Sequence, residues 1–379
     1  MSGLEGASAG LVALQYMKRW NQINRLRSCK CPRADSGRPL VLWSGNAGWD
    51  RGGGSRHEPP PYAYWVPNIP KESEMQEIIA SLVGLAIGAP QVHRNIALFP
   101  LLAPDGASDA YVLLDEALER KIARITEVSD GGRVPELAFE NSSAEKILLV
   151  DGDELIGAKQ NRVVNISILV GGGKRVVIPV SCVEHGRWSY RDRDFRSGNR
   201  TLFAKARAGK MSQVSSSMSE RGTRASDQHA VWQDVADKSE ALCVESPTMS
   251  MSDLYDGRAG EIDGYATAFH AEPGQRGAVV ALDGKVTGME LFDSPGAFSK
   301  YLGKLVRSYA MDALETGKRK HKVPTEAAVR QFLDAIQSAA GERFAALGDG
   351  EDIRLKGAGI AGGALAANGR VVHLAGYAV

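Results

Sequence analysis

Two polar segments carry the side chains best suited to chemistry. The first reads AKQNR at residues 158–162, and the second reads CVEHGRW at residues 182–188. Arginine and lysine bind phosphate or carboxylate groups, side-chain amides can read the edge of a base or sugar, and tryptophan stacks on rings. The segments therefore predict a binding site for a small anionic molecule. Its predicted ligand-binding residues are Lys159, Gln160, Asn161, Arg162, Arg187 and Trp188.

Three further side chains in this region are candidates for catalysis. Glu154 and Glu184 could serve as general acid and base, because a positioned carboxyl group can give or take a proton. Cys182 could be a nucleophile if neighbouring positive charge lowered its pKa. The alternative is a buried, inert thiol, which the strand parity that Cys182 shares with Val180 favours. For residues 159–162 a polar turn whose groups satisfy one another is the competing interpretation, and both stay open.

A hairpin would bring the two polar segments together. In VVNISILV, Asn165 and Ser167 alternate with apolar residues, which is the period of a half-buried strand, and a triple glycine at 171–173 follows as a turn. The return arm would be KRVVIPVSCV, in which Pro179 indicates an edge position or a bulge. All functional expectations depend on this fold-back.

The rest of the chain reads as short strands with a few helices. Asp-Gly at 151–152 predicts another tight hairpin, since glycine accepts the positive φ that such turns need. Strands are predicted at GYATAFHA, GAVVALDG, KVTGMELF, DIRLK and RVVHLAGYAV. Helices are predicted at Asp115 to Arg120, at Ser226 to Ala241, after Ser294-Pro295 and after Pro324-Thr325. The predicted fold class is α+β: a strand-rich mixed domain with antiparallel hairpins and two or three C-terminal helices.

Composition divides the chain into an extension and one domain. Residues 1–90 form a predicted N-terminal extension that is partly disordered, because a long Gly/Pro/Arg-rich stretch buries too little apolar surface to offset its ordering entropy. Residues 91–379 form a single predicted α+β domain. Within it, a polar Ser/Arg-rich insertion near 193–258 reads as a long functional loop or a mobile insertion.

Composition also narrows the classes of partner. The formal net charge is +1 over 379 residues, so we expect no strong attraction to nucleic acid or membrane. The apolar run at 78–89 is shorter than the ~20 residues that cross a bilayer. Four scattered cysteines suit a reducing compartment, which makes the cytoplasm the expected location. No metal site is predicted, because Cys29 and Cys31 lack a second Cys/His pair at ligand spacing.

One stretch of the sequence matches a nucleotide-binding motif but lacks the context that this motif requires. GAGIAG at 357–362 matches GxGxxG, but that fingerprint requires a strand-to-helix turn and an acidic residue about 20 positions further on. We therefore expect a small-residue strand or turn at this position. The sequence identifies no cofactor.

Several longer motifs resemble one protein family. They are ELIGAKQNRVVN, IPVSCVEHGRW, QHAVW, GQRGAVVALDGKVTGMELFDSP, RSYAMDALE and VVHLAGY, and together they extend from roughly Val92 to the C-terminus. In these motifs the chain resembles a prokaryotic family named for its association with ADP-ribosylglycohydrolases and rhodanese/phosphatase-superfamily proteins. The resemblance implies a nucleotide-like or phosphorylated ligand in NAD-linked metabolism, by association rather than by mechanism. It carries over no catalytic residue.

Three functional hypotheses follow. In the first, the chain binds or processes an ADP-ribose-like or other phosphorylated small molecule, with the two cations of AKQNR holding the anion and a glutamate supplying acid–base chemistry. In the second, it is a non-enzymatic interaction module that docks a partner through residues 193–258. In the third, it is a transferase or hydrolase that depends on Cys182.

Overall fold

Short strands make up most of the regular structure. A computed structural model describes residues 75–103, 111–316 and 322–379, all within one compact unit, Trp65–Val379. The helices of these ranges are α1 Gln76–Leu82, α2 Leu114–Glu119, α3 Ala204–Arg221, α4 Gln228–Leu242, α5 Met251–Gly257, α6 Ala259–Ala266, α7 Pro295–Thr316 and α8 Glu326–Gln337. The strands are β1 Ala86–Ile87, β2 Gln91–His93, β3 Ile96–Leu102, β4 Val112–Leu113, β5 Ala123–Glu127, β6 Glu136–Asn141, β7 Ile147–Leu149, β8 Asp153–Gly157, β9 Arg162–Val164, β10 Ile168–Val170, β11 Arg175–Cys182, β12 Phe195–Thr201, β13 Gln275–Leu282, β14 Lys285–Phe292, β15 Ala340–Ala345, β16 Glu351–Gly357, β17 Ile360–Ala367 and β18 Arg370–Ala378.

The described strands form three sheets. The largest has nine strands in the order β1-β3-β13-β14-β18-β17-β16-β15, with β2 also paired to β3. A six-stranded sheet has the order β12-β8-β9-β11-β6-β5, and a three-stranded sheet has the order β10-β7-β4. The pairing is antiparallel throughout, apart from β4 with β7. The predicted strand-rich α+β fold is confirmed. Most of the predicted N-terminal extension, including Cys29 and Cys31, lies outside the described residues.

Helices cover both faces of the nine-stranded sheet. In β13, Ala278 and Val280 belong to one buried cluster with residues of α3, α6 and α7, whereas Val279 and Ala281 belong to another with residues of α1 and α8. Successive side chains of a strand point to opposite faces, so both faces of β13 are buried. This two-sided burial explains why the strand reads as a continuous apolar run.

The helices α7 and α8 begin where the sequence predicts. The Ser294 hydroxyl accepts a hydrogen bond from the N–H of Ala297 at 3.2 Å, and the Thr325 hydroxyl accepts one from the N–H of Ala328 at 3.3 Å. Such side-chain caps satisfy the free N–H groups of a first helical turn. None of the helices in the described ranges combines the length and apolar character needed to cross a membrane.

The six-stranded sheet packs against the three-stranded sheet around a third buried cluster, which includes Phe139 and Ile168. Strand β11 joins the two halves of the six-stranded sheet: Arg175–Pro179 pairs with β6, and Val180–Cys182 pairs with β9. Pro179 thus lies inside the sheet where β11 changes partner, rather than at an edge. Proline has no N–H to donate to a ladder, and a change of partner tolerates this loss.

Residues 193–258 are largely regular structure, so the expectation of a long or mobile loop is wrong. They contain β12, α3, α4 and α5. Although the sequence of α3 is polar, one face of this helix is buried. Arg207 and Lys210 lie on that face and bind the carboxylates of Glu290 and Asp151. Partner docking through this region remains an untested prediction.

Three local predictions are corrected. GYATAFHA does not form a strand, because its first half completes α6, in which Ile262 and Tyr265 are buried one turn apart. Helix α4 begins at Gln228, and its cap is Asp227 rather than Ser226. Gly152 makes the predicted turn with φ +89°, but β7 and β8, on either side of it, join different sheets and form no hairpin.

Candidate functional site

Strand pairing brings the two polar segments together. β9 pairs with β11 so that Arg162 lies opposite Cys182 and Val164 lies opposite Val180. The connection is not the simple hairpin that the triple glycine suggests, because β10 leaves to pair with β7 in the three-stranded sheet. The predicted proximity of the segments is therefore right, and the predicted hairpin between β10 and β11 is wrong.

The polar residues of this region are divided between the two faces of the sheet. Glu154 pairs with Val163, and Leu155 pairs with Arg162. Residues directly opposite in a sheet share a face, and neighbours along a strand alternate. Glu154 and Arg162 therefore project from opposite faces, so a ligand held by Arg162 does not lie beside the Glu154 carboxyl group.

Arg162 is a buried cation whose hydrogen-bond acceptors, among the described residues, are all uncharged. Its side chain has no exposed surface. Nε donates to the carbonyl oxygen of Val134 at 3.2 Å, and Nη1 donates to Gln160 Oε1 at 3.0 Å. Among the described residues Nη2 has no hydrogen-bond partner. Burial lowers the pKa of Arg162, which reflects the cost of keeping this charge away from water.

Lys159 lies beside Arg162 under two exposed aromatic rings. Its ammonium donates to the carbonyl oxygens of Asp130 and Gly131 at 2.8 and 2.6 Å, which are again uncharged acceptors. The same nitrogen is 5.3 Å from the centre of the Trp188 ring and 5.1 Å from that of Tyr190.

Trp188 and Tyr190 are 48% and 49% exposed, and Cζ of Arg162 is 5.7 Å from the centre of the Trp188 ring. We call Lys159, Arg162, Trp188 and Tyr190 the cation–aromatic cluster. In this cluster two cations that have no carboxylate partner among the described residues lie beneath an aromatic edge that solvent reaches. The arrangement suits an anion attached to a planar ring.

Glu127 belongs to the surroundings of this cluster and was missed by sequence reasoning. Its Oε1 accepts a hydrogen bond from the backbone N–H of Lys159 at 3.4 Å, while Oε2 has no partner in the described part of the chain. Its negative charge offsets part of the two positive charges. Glu127 is the last residue of the strand sequence ARITE, and this sequence contains no motif that would indicate a functional residue.

Gln160 and Asn161 are occupied within the fold. Gln160 Oε1 accepts hydrogen bonds from Arg162 Nη1 and, at 3.1 Å, from the thiol of Cys182. Asn161 Nδ2 donates to Ser252 Oγ at 3.0 Å, and its Oδ1 accepts from Arg187 at 3.1 Å. Both amides orient neighbouring side chains, and neither faces solvent.

Cys182 has the environment of an inert thiol. It has no exposed surface. Burial raises the pKa of the thiol, although the nearby charge of Arg162 acts in the opposite direction. A buried thiol with a raised pKa stays protonated at neutral pH and is a poor nucleophile. The geometry gives no support to a Cys182-dependent reaction.

Glu184 and Arg187 form a buried ion pair. Arg187 Nη2 donates to Glu184 Oε2 at 2.7 Å, and Nε donates to Oε1 at 2.9 Å. Glu184 also accepts from the N–H of Asn161 and from the Thr248 hydroxyl. Burial would raise the pKa of Glu184, but these hydrogen bonds hold it below its ordinary value. Both residues are therefore committed to holding the two segments together.

Glu154 occupies a closed position on the opposite face. The Ser252 hydroxyl donates to its Oε1 at 2.8 Å, and Oε2 has no partner among the described residues. Burial raises the pKa of Glu154 to about 7, which suits acid–base chemistry at neutral pH. The residue is only 1% exposed, so a substrate has no described route to it.

A second charged network, unmarked in the sequence, lies against the nine-stranded sheet. Arg207 binds Glu290 with two hydrogen bonds, at 2.7 and 3.2 Å. His373 lies between Glu290 and Ser167, at 2.9 Å from each. The order carboxylate, imidazole, hydroxyl resembles a hydrolytic relay. The gap beside Ser167 is too small for a water molecule, however, so no space for a substrate adjoins this hydroxyl.

Comparison with known proteins identifies a family. Residues 84–377 match the family model for the ARG and Rhodanese-Phosphatase-superfamily-associated Protein domain. A search of the curated proteins and of the solved structures found no match to the chain. Within residues 75–103, 111–316 and 322–379, no group of three or more His, Cys, Asp or Glu side chains is placed to hold a metal ion.

Proposed function

The chain belongs to the family of ARG and Rhodanese-Phosphatase-superfamily-associated Protein domains, and we propose that it binds a nucleotide-like or other phosphorylated small molecule at the cation–aromatic cluster. Arg162 and Lys159 hold the phosphate, and Trp188 stacks on the base or another ring. The association with ADP-ribosylglycohydrolases in the family's name supports an ADP-ribose-like ligand. Because association is not mechanism, the chemistry of the cluster carries the proposal.

The unbalanced charge of Arg162 is the observation that carries it. Removing a guanidinium from water costs on the order of several kcal/mol unless an opposite charge compensates. Elsewhere in the described interior, Arg207 has a carboxylate at 2.7 Å, Lys210 one at 2.6 Å and Lys304 one at 2.5 Å. Arg162 has only carbonyl and amide oxygens. A bound phosphate would supply the missing negative charge.

Access to this charge passes through Trp188. Arg162 has no exposed surface, whereas the indole above it is half exposed. An anion can reach Nη2 once the Trp188 side chain rotates, and rotations of exposed side chains are fast. The displaced ring is then free to lie on the ligand. Lys159 provides the first contact at the rim.

The proposal is a binding function. Glu154 projects from the other face of the sheet, and Glu184 is held in its ion pair with Arg187. The proposed binding therefore uses neither Glu154 nor Glu184 for proton transfer. Cys182 is protonated and buried.

Calorimetric titration of the full chain with ADP-ribose, AMP and inorganic phosphate tests the proposal. We expect Arg162→Met to weaken all three at least about tenfold, because the charge-assisted hydrogen bonds are lost. We expect Trp188→Ala to weaken AMP and ADP-ribose about five- to twentyfold through lost stacking, and to leave phosphate unchanged. This difference separates the anion contact from the ring contact.

Arg330→Met is the matched control, because Arg330 is an exposed arginine of α8 that pairs with Glu326. It removes the same charge from the chain without touching the cluster, so binding should equal that of the wild type. If Arg162→Met and Arg330→Met bind these compounds equally well, or if none of the three compounds binds the wild type, the proposed function is rejected.

A further inference from the structure

The loop between β5 and β6 contacts the cation–aromatic cluster. It comprises residues 128–135, and none of them is buried. Segments that bury little surface open locally at a low free-energy cost, whereas the central strands of a sheet do not. This β5–β6 loop is therefore the backbone segment of the site that is best able to move.

The β5–β6 loop packs against two side chains that each keep one polar atom without a hydrogen-bond partner among the described residues, namely Oε2 of Glu127 and Nη2 of Arg162. Glu127 lies opposite Leu137 in its ladder, and Leu137 belongs to the third buried cluster. Arg162 lies opposite Leu155 of the same cluster. Opposite residues share a face, so both polar side chains point to the buried side of the sheet. A Cβ built on Gly132 of the loop would lie 3.2 Å from Glu127 Oε2, so the loop backbone covers this carboxylate.

Carbonyl groups of the loop occupy the two cations that the proposed function assigns to a phosphate. Lys159 Nζ donates to the carbonyl oxygens of Asp130 and Gly131 at 2.8 and 2.6 Å. Arg162 Nε donates to the carbonyl oxygen of Val134 at 3.2 Å. Three neutral oxygens of the loop thus lie where phosphate oxygens would bind. Hydrogen bonds to an ionised acceptor are roughly twice as strong as those to a neutral one, so a phosphate can displace the loop from both cations.

The aromatic edge supplies a further contact with the loop. The Tyr190 hydroxyl donates to the carbonyl oxygen of Asp130 at 3.2 Å. The Tyr190 ring, in contrast, lies against the ammonium of Lys159, with 5.1 Å between the nitrogen and the ring centre. Because the hydroxyl acts on the loop and the ring acts on the cation, removing the hydroxyl alone loosens the loop and leaves the cation in place.

We propose that residues 128–135 form a lid that closes the site in the absence of a ligand and that a bound phosphate displaces. Phosphate oxygens take the places of the three lid carbonyl oxygens on Lys159 and Arg162, and the lid moves away from the Glu127 carboxylate. The inference rests on the proposed function and adds its regulation. The affinity for the ligand is reduced by the fraction of molecules in which the lid is closed, so loosening the lid tightens binding.

Two substitutions that loosen the lid test the inference in the full chain, by calorimetric titration with inorganic phosphate. Tyr190→Phe keeps the ring and removes one neutral hydrogen bond to the lid, so phosphate should bind about two- to fivefold more tightly. If the hydroxyl contacted the ligand instead, its loss would weaken binding. Gly132→Ala places a Cβ at a φ of +71°, which strains the closed lid, and should tighten phosphate binding about three- to tenfold.

Gly173→Ala is the matched control for Gly132→Ala. Gly173 also has a positive φ, of +67°, but it lies outside the lid, and a Cβ built on it would meet no atom within 4 Å. The control should lower the melting temperature through the same backbone strain and bind phosphate like the wild type.

The outcomes separate the lid from the proposed function. The lid is overturned, and the proposed function stands, if the wild type binds phosphate through Arg162 but either lid variant binds it no more tightly. It is also overturned if Gly173→Ala tightens binding as much as Gly132→Ala does. If neither the wild type nor the two lid variants bind phosphate, AMP or ADP-ribose, the proposed function is rejected and the lid with it.

Discussion

Two buried regions of this protein carry positive charge, and they balance it differently. Against the nine-stranded sheet, Arg207 binds Glu290 and Lys210 binds Asp151, with no exposed surface on either cation. In the cation–aromatic cluster, Arg162 is equally buried, yet all its described acceptors are uncharged. Pairing is therefore the rule of this interior. The exception identifies the place where a partner from outside the chain is expected.

Removing a carboxylate from the paired region should have the largest effect. Glu290→Gln leaves Arg207 buried without its negative partner, and we expect the free energy of unfolding to fall by about 3–5 kcal/mol. Urea denaturation measures this. Glu326→Gln is the control, because it breaks the exposed pair with Arg330 and should cost less than about 0.5 kcal/mol. Equal small losses in both variants would mean that the buried pair does not stabilise the fold.

The next effect depends on pH and concerns the unpaired carboxyl group of Glu154. Burial raises its pKa from 4.5 to about 7. Between these values the folded state holds a proton that the unfolded state has released, so the free energy of unfolding falls as pH rises through this window. The loss is roughly 3 kcal/mol and is complete above about pH 7.

Glu154→Gln should remove this loss. The variant should resemble the wild type at pH 4.5 and exceed its free energy of unfolding at pH 8, by up to roughly 3 kcal/mol. Denaturation at the two pH values measures the difference. A stability difference that is independent of pH would show that Glu154 keeps an ordinary pKa in the folded protein.

A smaller effect is expected in the unpaired region itself. Arg162→Met removes three hydrogen bonds to neutral acceptors but also removes an uncompensated buried charge. The two contributions oppose each other, so the free energy of unfolding without ligand should change by less than about 1 kcal/mol. A loss near that of Glu290→Gln would show that the fold already balances the charge of Arg162, and the comparison between the two regions would fail.

The smallest effect concerns the thiol beside Arg162. Cys182 is buried and Cys243 is exposed. At pH 7.5 a maleimide reagent, followed by site-resolved mass spectrometry, should modify Cys243 at least about tenfold faster. Arg162→Met should not accelerate the reaction of Cys182, since the variant removes the positive charge that favours its thiolate. Comparable rates at the two cysteines would restore the nucleophile hypothesis.

Local signals account for the parts of the fold that the sequence predicts correctly. Ser294 and Thr325 start helices through their own caps, and the apolar run of β13 reports its burial on both faces. The fold of α3 was not predictable in this way. From the sequence alone, Arg207 and Lys210 would be expected to face solvent. Their carboxylate partners, Glu290 and Asp151, come from segments that are distant in the sequence.

The candidate site was predicted in outline but not in its geometry. The sequence correctly predicts that the AKQNR and CVEHGRW segments lie close together, although β9 rather than β10 pairs with β11. The placement of Glu154 and Arg162 on opposite faces depends on the register of β8 against β9, which the sequence does not fix.

The change of partner along β11 has a consequence for ligand binding. Strand β11 continues without a break through Pro179, from its ladder with β6 to its ladder with β9, so the backbone beside Arg162 is tied through β11 to the rest of the sheet. Its amide protons should exchange with solvent as slowly as those of β6. A ligand would thus meet a preorganised backbone, and the rotamers lost on binding would be those of Trp188 and Tyr190. Changes at these two rings could then tune residence time while the sheet stays the same.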